Sequence, residues 1–336
     1  MARAPVRVDL AGGGSDVPFF CAEHDGAVLS VCIARYVYAR LRFHAGPKII
    51  VQSEDLNEQV SADRLEGLPL TGRLALLCGI ARRLGPEDAS FHFSVYSDVP
   101  EGSGLGASGA LGVAGVGVFD AALGGGRSRE QVAALGNEIE RVDLGLAGGS
   151  QDSYGPAFGG VNFIEYPAGR LVRVEPLPLP ESLLRELERR CVLVHTGQGH
   201  VSGSIHDDIA ADYRRPHSPT KRAMLELAAI ARESREALLS GELERWGELL
   251  SENWRHHQRL HASCSSRRLQ AFYQAAAPHV VGGKTCGAGG GGCIVFLARE
   301  GRRRALERAL DALGGLRLPF VIDQVGLSTW TLPTKE

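Results

Sequence analysis

The chain has 336 residues, 44% of them apolar and 23% charged, with a formal net charge of -2. That length suits one large domain or two ordinary ones, and the charge balance gives no overall field to draw the chain to nucleic acid or a membrane surface. Seven cysteines lie scattered with no C-x-x-C pair, a pattern of reduced thiols rather than of a disulfide framework. No run reaches the ~18 apolar residues of a membrane span, and no apolar stretch near the start suggests a signal peptide. The expectation is a cytoplasmic globular protein.

Val6–Leu10 alternates apolar and polar side chains, as does Tyr36–Phe43, with Tyr36, Tyr38, Arg40 and Arg42 on the polar side. Phe91, Phe93 and Val95 form a third alternating set, so each segment predicts a half-buried strand. Ala110–Ala122 is small and apolar and predicts a buried helix. Ser128-Arg-Glu-Gln131 has the form of a capping box, opening a helix with Val132, Leu135, Ile139 and Val142 on one stripe and an end near Gly145. Gly159–Glu165 predicts a glycine turn into a strand, and the prolines of Pro167–Pro180 predict a linker. Beyond it come a short strand at Cys191–His195, helices over 219–239, 243–262 and 265–277, and a strand at Cys293–Leu297. A basic helix over Arg302–Leu313 and a last strand near Phe320–Val325 close the chain. Early strands adjacent in sequence, without helices between them, predict an α+β fold rather than an alternating parallel sheet.

Glycine is concentrated at three places: Ala11–Asp16, directly after the strand carrying Arg7; Asp98–Leu111; and Gly287–Gly292, before a strand. A glycine loop feeding a helix directs backbone N–H groups and the positive end of the helix dipole at one spot, which favours phosphate. The second place has that form, and the Ser108 hydroxyl near the helix start could also reach a metal bound to the phosphates. Gly104, Gly106 and Gly109 spell G-x-G-x-x-G, but Asp98-Val-Pro-Glu101 separates the strand from the glycines and no acidic strand end follows. That argues against a dinucleotide fold, and the missing Gly-Lys-Ser/Thr argues against a P-loop. Tight helix packing explains Ala110–Ala122 but not the extended glycine lead-in. Asp152 lies in a glycine-flanked turn, where it can face a cleft or cap a short helix. His206-Asp-Asp208 and His256-His257 lack a third ligand at supporting spacing and read as helical surface. Arg302–Arg304 reads as a solvated helix face.

Taken in order, these places resemble the motifs of the GHMP kinases (galactokinase, homoserine kinase, mevalonate kinase, phosphomevalonate kinase). Pro100-Glu-Gly-Ser-Gly-Leu-Gly-Ala-Ser-Gly-Ala110 is similar to the family's phosphate loop, Arg3–Asp16 to its N-terminal substrate motif, and Lys284–Gly292 to its C-terminal glycine motif. Gly148-Gly-Ser-Gln-Asp152, Phe158–Glu165 and His195-Thr-Gly197 resemble the branch that contains D-glycero-D-manno-heptose 7-phosphate kinase. The resemblance implies a ribosomal-protein-S5-like N-terminal domain over 1–175, a ferredoxin-like C-terminal domain over 185–336, and a cleft holding ATP, Mg²⁺ and a sugar or sugar phosphate. A homodimer is compatible with it; nucleic acid and membrane are not expected partners.

The implied roles follow residue by residue. Asp152 orients or accepts the proton of the acceptor hydroxyl, and Arg7 lies against it and the moving phosphoryl group. Pro100, Gly102, Ser103, Gly104, Leu105, Gly106, Ala107 and Ser108 hold ATP, with Ser108 and Glu140 on the metal and Glu138 as the alternative to Glu140. Gly13, Gly14, Ser15, Asp16, Thr196, His200, Gly289 and Gly290 meet the substrate. The implied reaction phosphorylates the anomeric hydroxyl of the heptose 7-phosphate to the 1,7-bisphosphate. His200 stands where the branch usually has Arg, and His257 where it tends to have Lys. These weaker cations keep an unphosphorylated sugar open as the substrate. A catalytically silent relative that binds a sugar or a nucleotide is a further alternative.

Overall fold

The structure is a computed structural model that describes residues 1–199 and 202–332. The chain opens with β1 (Ala2–Ala11), a short helix α1 (Pro18–Cys21) and the long strand β2 (Gly26–Phe43). A hairpin of β3 (Ile49–Ser53) and β4 (Glu58–Ala62), helix α2 (Ala75–Leu84) and β5 (Phe91–Ser97) follow. Next come α3 (Ala107–Ala122), α4 (Arg129–Glu138), α5 (Gln151–Phe158), β6 (Val161–Tyr166) and β7 (Arg173–Pro176). These strands form one sheet in the order β4-β3-β5-β2-β1, with β6 and β7 continuing from the first half of β2. β2 is long enough to pair with β6 through Gly26–Val31 and with β5 through Val37–Phe43. Its alternation sends Val37 and Ala39 inward with Phe91, Phe93 and Val95, all buried under α2 and α3. Small residues let α3 approach closely: a Cβ on Gly115 would lie 2.9 Å from Ile80 Cδ1.

The second half adds α6 (Glu181–Arg190), β8 (Cys191–His195), α7 (Ser202–Tyr213), α8 (Pro219–Leu239), α9 (Leu243–His257) and α10 (Arg267–Ala276). It ends with β9 (Val280–Thr285), β10 (Cys293–Ala298), α11 (Arg303–Asp311), β11 (Leu316–Leu318) and β12 (Ser328–Thr329). A second, antiparallel sheet runs β11-β8-β10-β9. Val194, Phe272, Phe296, Leu306 and Leu310 fill the core between it, α10 and α11. α9 lies tightly on β9, where a Cβ on Gly282 would meet the Gly247 carbonyl.

Several expectations are corrected. The buried helix starts at Ala107, three residues earlier than its apolar run, because Gly106 caps it in the left-handed region (φ 72°). The capping box at Ser128 and Gln131 is present, but the helix does not keep its stripe to Gly145. It widens into a π-helical turn at Ile139–Asp143, which leaves Val142 72% exposed and turns Glu140 inward. The proline-rich segment contains β7, so it is more than a linker. Phe320–Val325 forms a single bridge, Ile33 with Ile322, rather than a strand; the chain then pairs β12 with β1 and returns to the first sheet. The sequence reading places only His206–Asp208 on a helix surface, whereas α7 runs over Ser202–Tyr213. Among the described residues, no helix is long and apolar enough to cross a membrane.

Candidate active site

Between the two sheets lies a cleft of ≈ 520 Å³. One wall is the loop between β5 and α3. Gly102, Gly104 and Gly106 all take φ near 70° (70°, 74° and 72°), a conformation that only glycine adopts without strain. The turn delivers the first residues of α3 to the cleft, with their unpaired N–H groups at its end. The loop is braced from both sides. Arg7 N donates to Leu105 O at 3.0 Å, and Cys293 N donates to Ser103 O at 2.8 Å. A Cβ on Gly104 would lie 2.5 Å from Cys286 O, and one on Gly292 would lie 2.7 Å from Ser103 O. The third glycine motif is therefore pressed against the second.

Asp152 reaches the same spot from the first turn of α5, which crosses α3 so closely that a Cβ on Gly109 would lie 2.2 Å from Asp152 O. Arg7 Nε donates to Asp152 Oδ1 at 2.9 Å, Nη2 donates to the same oxygen, and Nη1 donates to Gly104 O at 2.6 Å. One guanidinium thus joins the carboxylate to the glycine loop. Burial alone would lower the Arg7 pKa, but the Asp152 and Asp9 carboxylates more than offset it and raise it. Both contacts fall on Oδ1, so Oδ2 has no hydrogen-bond partner among the described residues, and the Asp152 side chain stays 19% exposed.

The π-helical turn places Glu140 in the cleft, almost fully buried. Burial pushes its pKa up, opposed by Arg141 and by the Ser108 hydroxyl. Ser108 and Glu140 are thus neighbouring oxygen donors at the start of α3. Among the described residues, no group of three or more His, Cys, Asp and Glu side chains is arranged to hold a metal. Such a pair still fits Mg²⁺, which takes one or two protein oxygens and completes its shell with phosphate oxygens and water.

The first glycine loop forms the opposite wall. Asp16 is buried, accepting from Gly14 N at 3.1 Å and from Gln151 N at 3.0 Å. It therefore ties this loop to the start of α5. Burial pushes its pKa up, although both backbone N–H groups counter that. Ser15, expected to face substrate, is turned inward. Its fully buried hydroxyl lies 2.8 Å from Gly12 O and 2.9 Å from Ala27 O, and accepts from Ala27 N at 3.1 Å. Beneath the loop, Lys284 and Asp9 form a fully buried ion pair at 2.6 Å.

Of the residues singled out in the sequence, the cleft brings together Arg7, Gly13, Gly14, Asp16, Gly102–Ser108, Glu140 and Asp152. Pro100 lies behind the loop, its carbonyl accepting from Ser103 N at 3.2 Å. Thr196 is buried with its amide on Gly292 O at 3.0 Å, away from the cleft wall. Gly289 and Gly290 turn against Cys264, whose carbonyl accepts from Gly290 N at 2.7 Å; Gly287 and Ala288 line the cleft in their stead. His200 lies outside the described residues. His257, expected on a helix surface, is buried in the cleft wall with Nε2 3.1 Å from Ala288 O. Burial pushes its pKa down, reinforced by the Lys284 ammonium. Arg141 and Gln151 also line the cleft, and sequence reasoning missed both.

The profile of the GHMP kinases N terminal domain matches residues 74–160, and that of the GHMP kinases C terminal domain matches residues 234–315. A D-glycero-alpha-D-manno-heptose 7-phosphate kinase of Campylobacter jejuni is 31% identical over 343 residues, covering 98% of each chain. The chain belongs to the GHMP kinase family. This GHMP kinase matches the solved structure of a D-glycero-D-manno-heptose 1-phosphate kinase from Bacteroides thetaiotaomicron with a TM-score of 0.82 and 30% identity, over 99% of each chain. A mevalonate kinase of Pyrococcus horikoshii is 29% identical, covering 97% of this chain and 96% of its own. Lactococcus lactis galactokinase shares the fold, with a TM-score of 0.77 at 20% identity over 97% of this chain and 93% of its own. The two-domain GHMP fold and an ATP-dependent kinase activity follow from that membership.

Proposed function

We propose that this kinase transfers the γ-phosphoryl group of ATP to the anomeric hydroxyl of D-glycero-D-manno-heptose 7-phosphate, giving the 1,7-bisphosphate. One observation carries the transfer chemistry: Arg7 holds Asp152 Oδ1 and the glycine-loop carbonyl of Gly104 together, leaving Oδ2 without a partner among the described residues. Phosphoryl transfer needs placement, charge compensation and a group that orients or accepts the hydroxyl proton. In this reading Asp152 Oδ2 receives the sugar hydroxyl, and Arg7 fixes the carboxylate through Oδ1 and offsets developing charge. The loop of Gly102–Ser108 cradles the phosphates at the N-terminus of α3. Ser108 and Glu140 would hold Mg²⁺, which neutralises phosphate charge when bound. The N-terminal domain, 1–175, would supply this machinery, and the C-terminal domain, 185–336, would brace it through Gly287–Gly292.

The heptose phosphate is favoured by two relatives, one 31% identical and named for a heptose 7-phosphate, the other 30% identical and named for a heptose 1-phosphate. A second reading, an unphosphorylated sugar, is favoured by the cations of the cleft. Arg7 and Arg141 are already committed to Asp152 and to loop carbonyls, and His257 is buried on Ala288 O. Steady-state ADP release with a heptose and with its 7-phosphate separates the two. A kcat/KM at least ~10-fold higher for the phosphate, worth about 1.4 kcal/mol, supports the first reading. Equal values would show that no phosphate pocket operates, and no ADP release with either would sink both.

A further inference from the structure

Three features meet at Arg141. It lies in the π-helical turn, directly after Glu140. Its Nη1 donates to Leu146 O at 3.1 Å and to Ala147 O at 2.9 Å, and its Nη2 donates to Gly149 O at 3.0 Å. The same Nη2 lies 3.4 Å from Glu140 Oε2. The loop has closed on this guanidinium: Gly148 takes a φ of 155°, and a Cβ there would lie 2.6 Å from Arg141 Nη1. Leu146, Ala147, Gly148 and Gly149 line the cleft, and Asp152 follows within the next turn.

A segment with glycines at 145, 148 and 149 has many conformations to lose on ordering. It also lacks helix or strand between the π-helical turn and α5. Two backbone bonds, Leu144 N to Ile139 O and Leu146 N to Glu140 O, both at 3.1 Å, tie its start to the π-helical turn, and a charged donor set on the successive carbonyls beyond is a strong source of order for the rest. Lysine cannot replace it, because one ammonium lacks the planar fork that spans several carbonyls and a carboxylate at once.

We infer that Arg141 is a positioning residue: it assembles the 144–150 wall against which the sugar rests and holds Glu140 beside Ser108. It touches neither phosphate nor sugar in this role. The wall's function rests on the kinase reading above, whereas the ordering of the loop does not.

The test uses Arg141→Lys, which keeps the charge. Hydrogen exchange of the 144–150 amides is measured on the ligand-free protein, then KM and kcat for the sugar. Losing charge-assisted bonds worth about 1.5–3 kcal/mol corresponds to roughly 10- to 100-fold. The expectation is that much faster exchange in 144–150 with β2 and α3 unchanged, and, at saturating Mg²⁺, a sugar KM raised ~10-fold with kcat within about 3-fold. Manganese titration of the protein with a non-hydrolysable ATP analogue should show weaker metal binding. Unchanged exchange overturns the inference even if the enzyme phosphorylates heptose 7-phosphate. Faster exchange upholds the ordering role even if that sugar proves wrong. Gly148→Ala attacks the same contact from the loop side and should speed the same amides; if Arg141→Lys does not fold, this variant decides, and protected 144–150 amides in it overturn the inference.

Discussion

Replacing Lys284 by Met tests how the two sheets are joined beneath the cleft. Lys284 lies on β9 and Asp9 on β1, and both side chains are 0% exposed at 2.6 Å. Lys284 Nζ also donates to Asp9 O at 3.0 Å. Methionine nearly preserves the volume, so cavity formation contributes little. The change removes the cation and strands a buried carboxylate, which costs about 3–5 kcal/mol. At roughly 2–4 °C per kcal/mol for a domain of this size class, Tm should fall by roughly 6–20 °C. Asp9→Asn with Lys284→Met removes the stranded charge and should recover about 2 kcal/mol or more. Calorimetry and urea midpoints on the wild type, both single variants and the double variant give the coupling energy. A Lys284→Met protein within 1 kcal/mol of wild type, or a double variant no better than the single, would refute the reasoning.

Gly104→Ala places a Cβ 2.5 Å from the Cys286 carbonyl at a φ of 74°. It should raise the ATP KM by roughly 10-fold or more while costing about 1–3 kcal/mol in backbone strain; an unchanged ATP KM in a folded variant would remove the loop from ATP binding. Glu140→Gln should raise the Mg²⁺ concentration for half-maximal activity by at least the roughly 10-fold that even outer partners of a metal ligand contribute, and an unaltered Mg²⁺ dependence would take Glu140 off the metal. His257 has a folded pKa below its ordinary value of 6.5 because burial disfavours the imidazolium. Its unfolded form therefore takes up the proton first, so its contribution to stability is present above about pH 6.5 and is lost as pH falls toward the folded pKa. His257→Gln should shrink the Tm difference between about pH 7.5 and about pH 5.5; an identical difference contradicts this.

Local chemistry was legible where the signal was local. The Ser128 capping box, the strand alternation at Phe91, Phe93 and Val95, and Pro219–Leu239 needed only neighbours a few residues apart. The glycine loop and Asp152 were legible through motif order over the whole chain. What failed depended on packing at a distance. Ser15 looked like a ligand because it is polar beside glycines, yet Ala27 of β2 takes its hydroxyl. His257 looked like surface because no third metal ligand accompanies it in the sequence, yet it is buried in the cleft wall. The π-helical turn carries no composition signal, and without it the placement of Glu140 and Arg141 could not be foreseen. Asp9 and Lys284 are 275 residues apart, a separation over which no periodicity speaks.

The most direct test is single-turnover transfer from Mg-ATP to the sugar by Asp152→Ala, beside binding of a non-hydrolysable ATP analogue. If Asp152 positions or accepts the hydroxyl proton, turnover falls ~10²-fold or more while analogue affinity stays within about 3-fold. A folded Asp152→Ala protein that transfers phosphate at the wild-type rate would contradict the assignment of this cleft as the seat of the reaction.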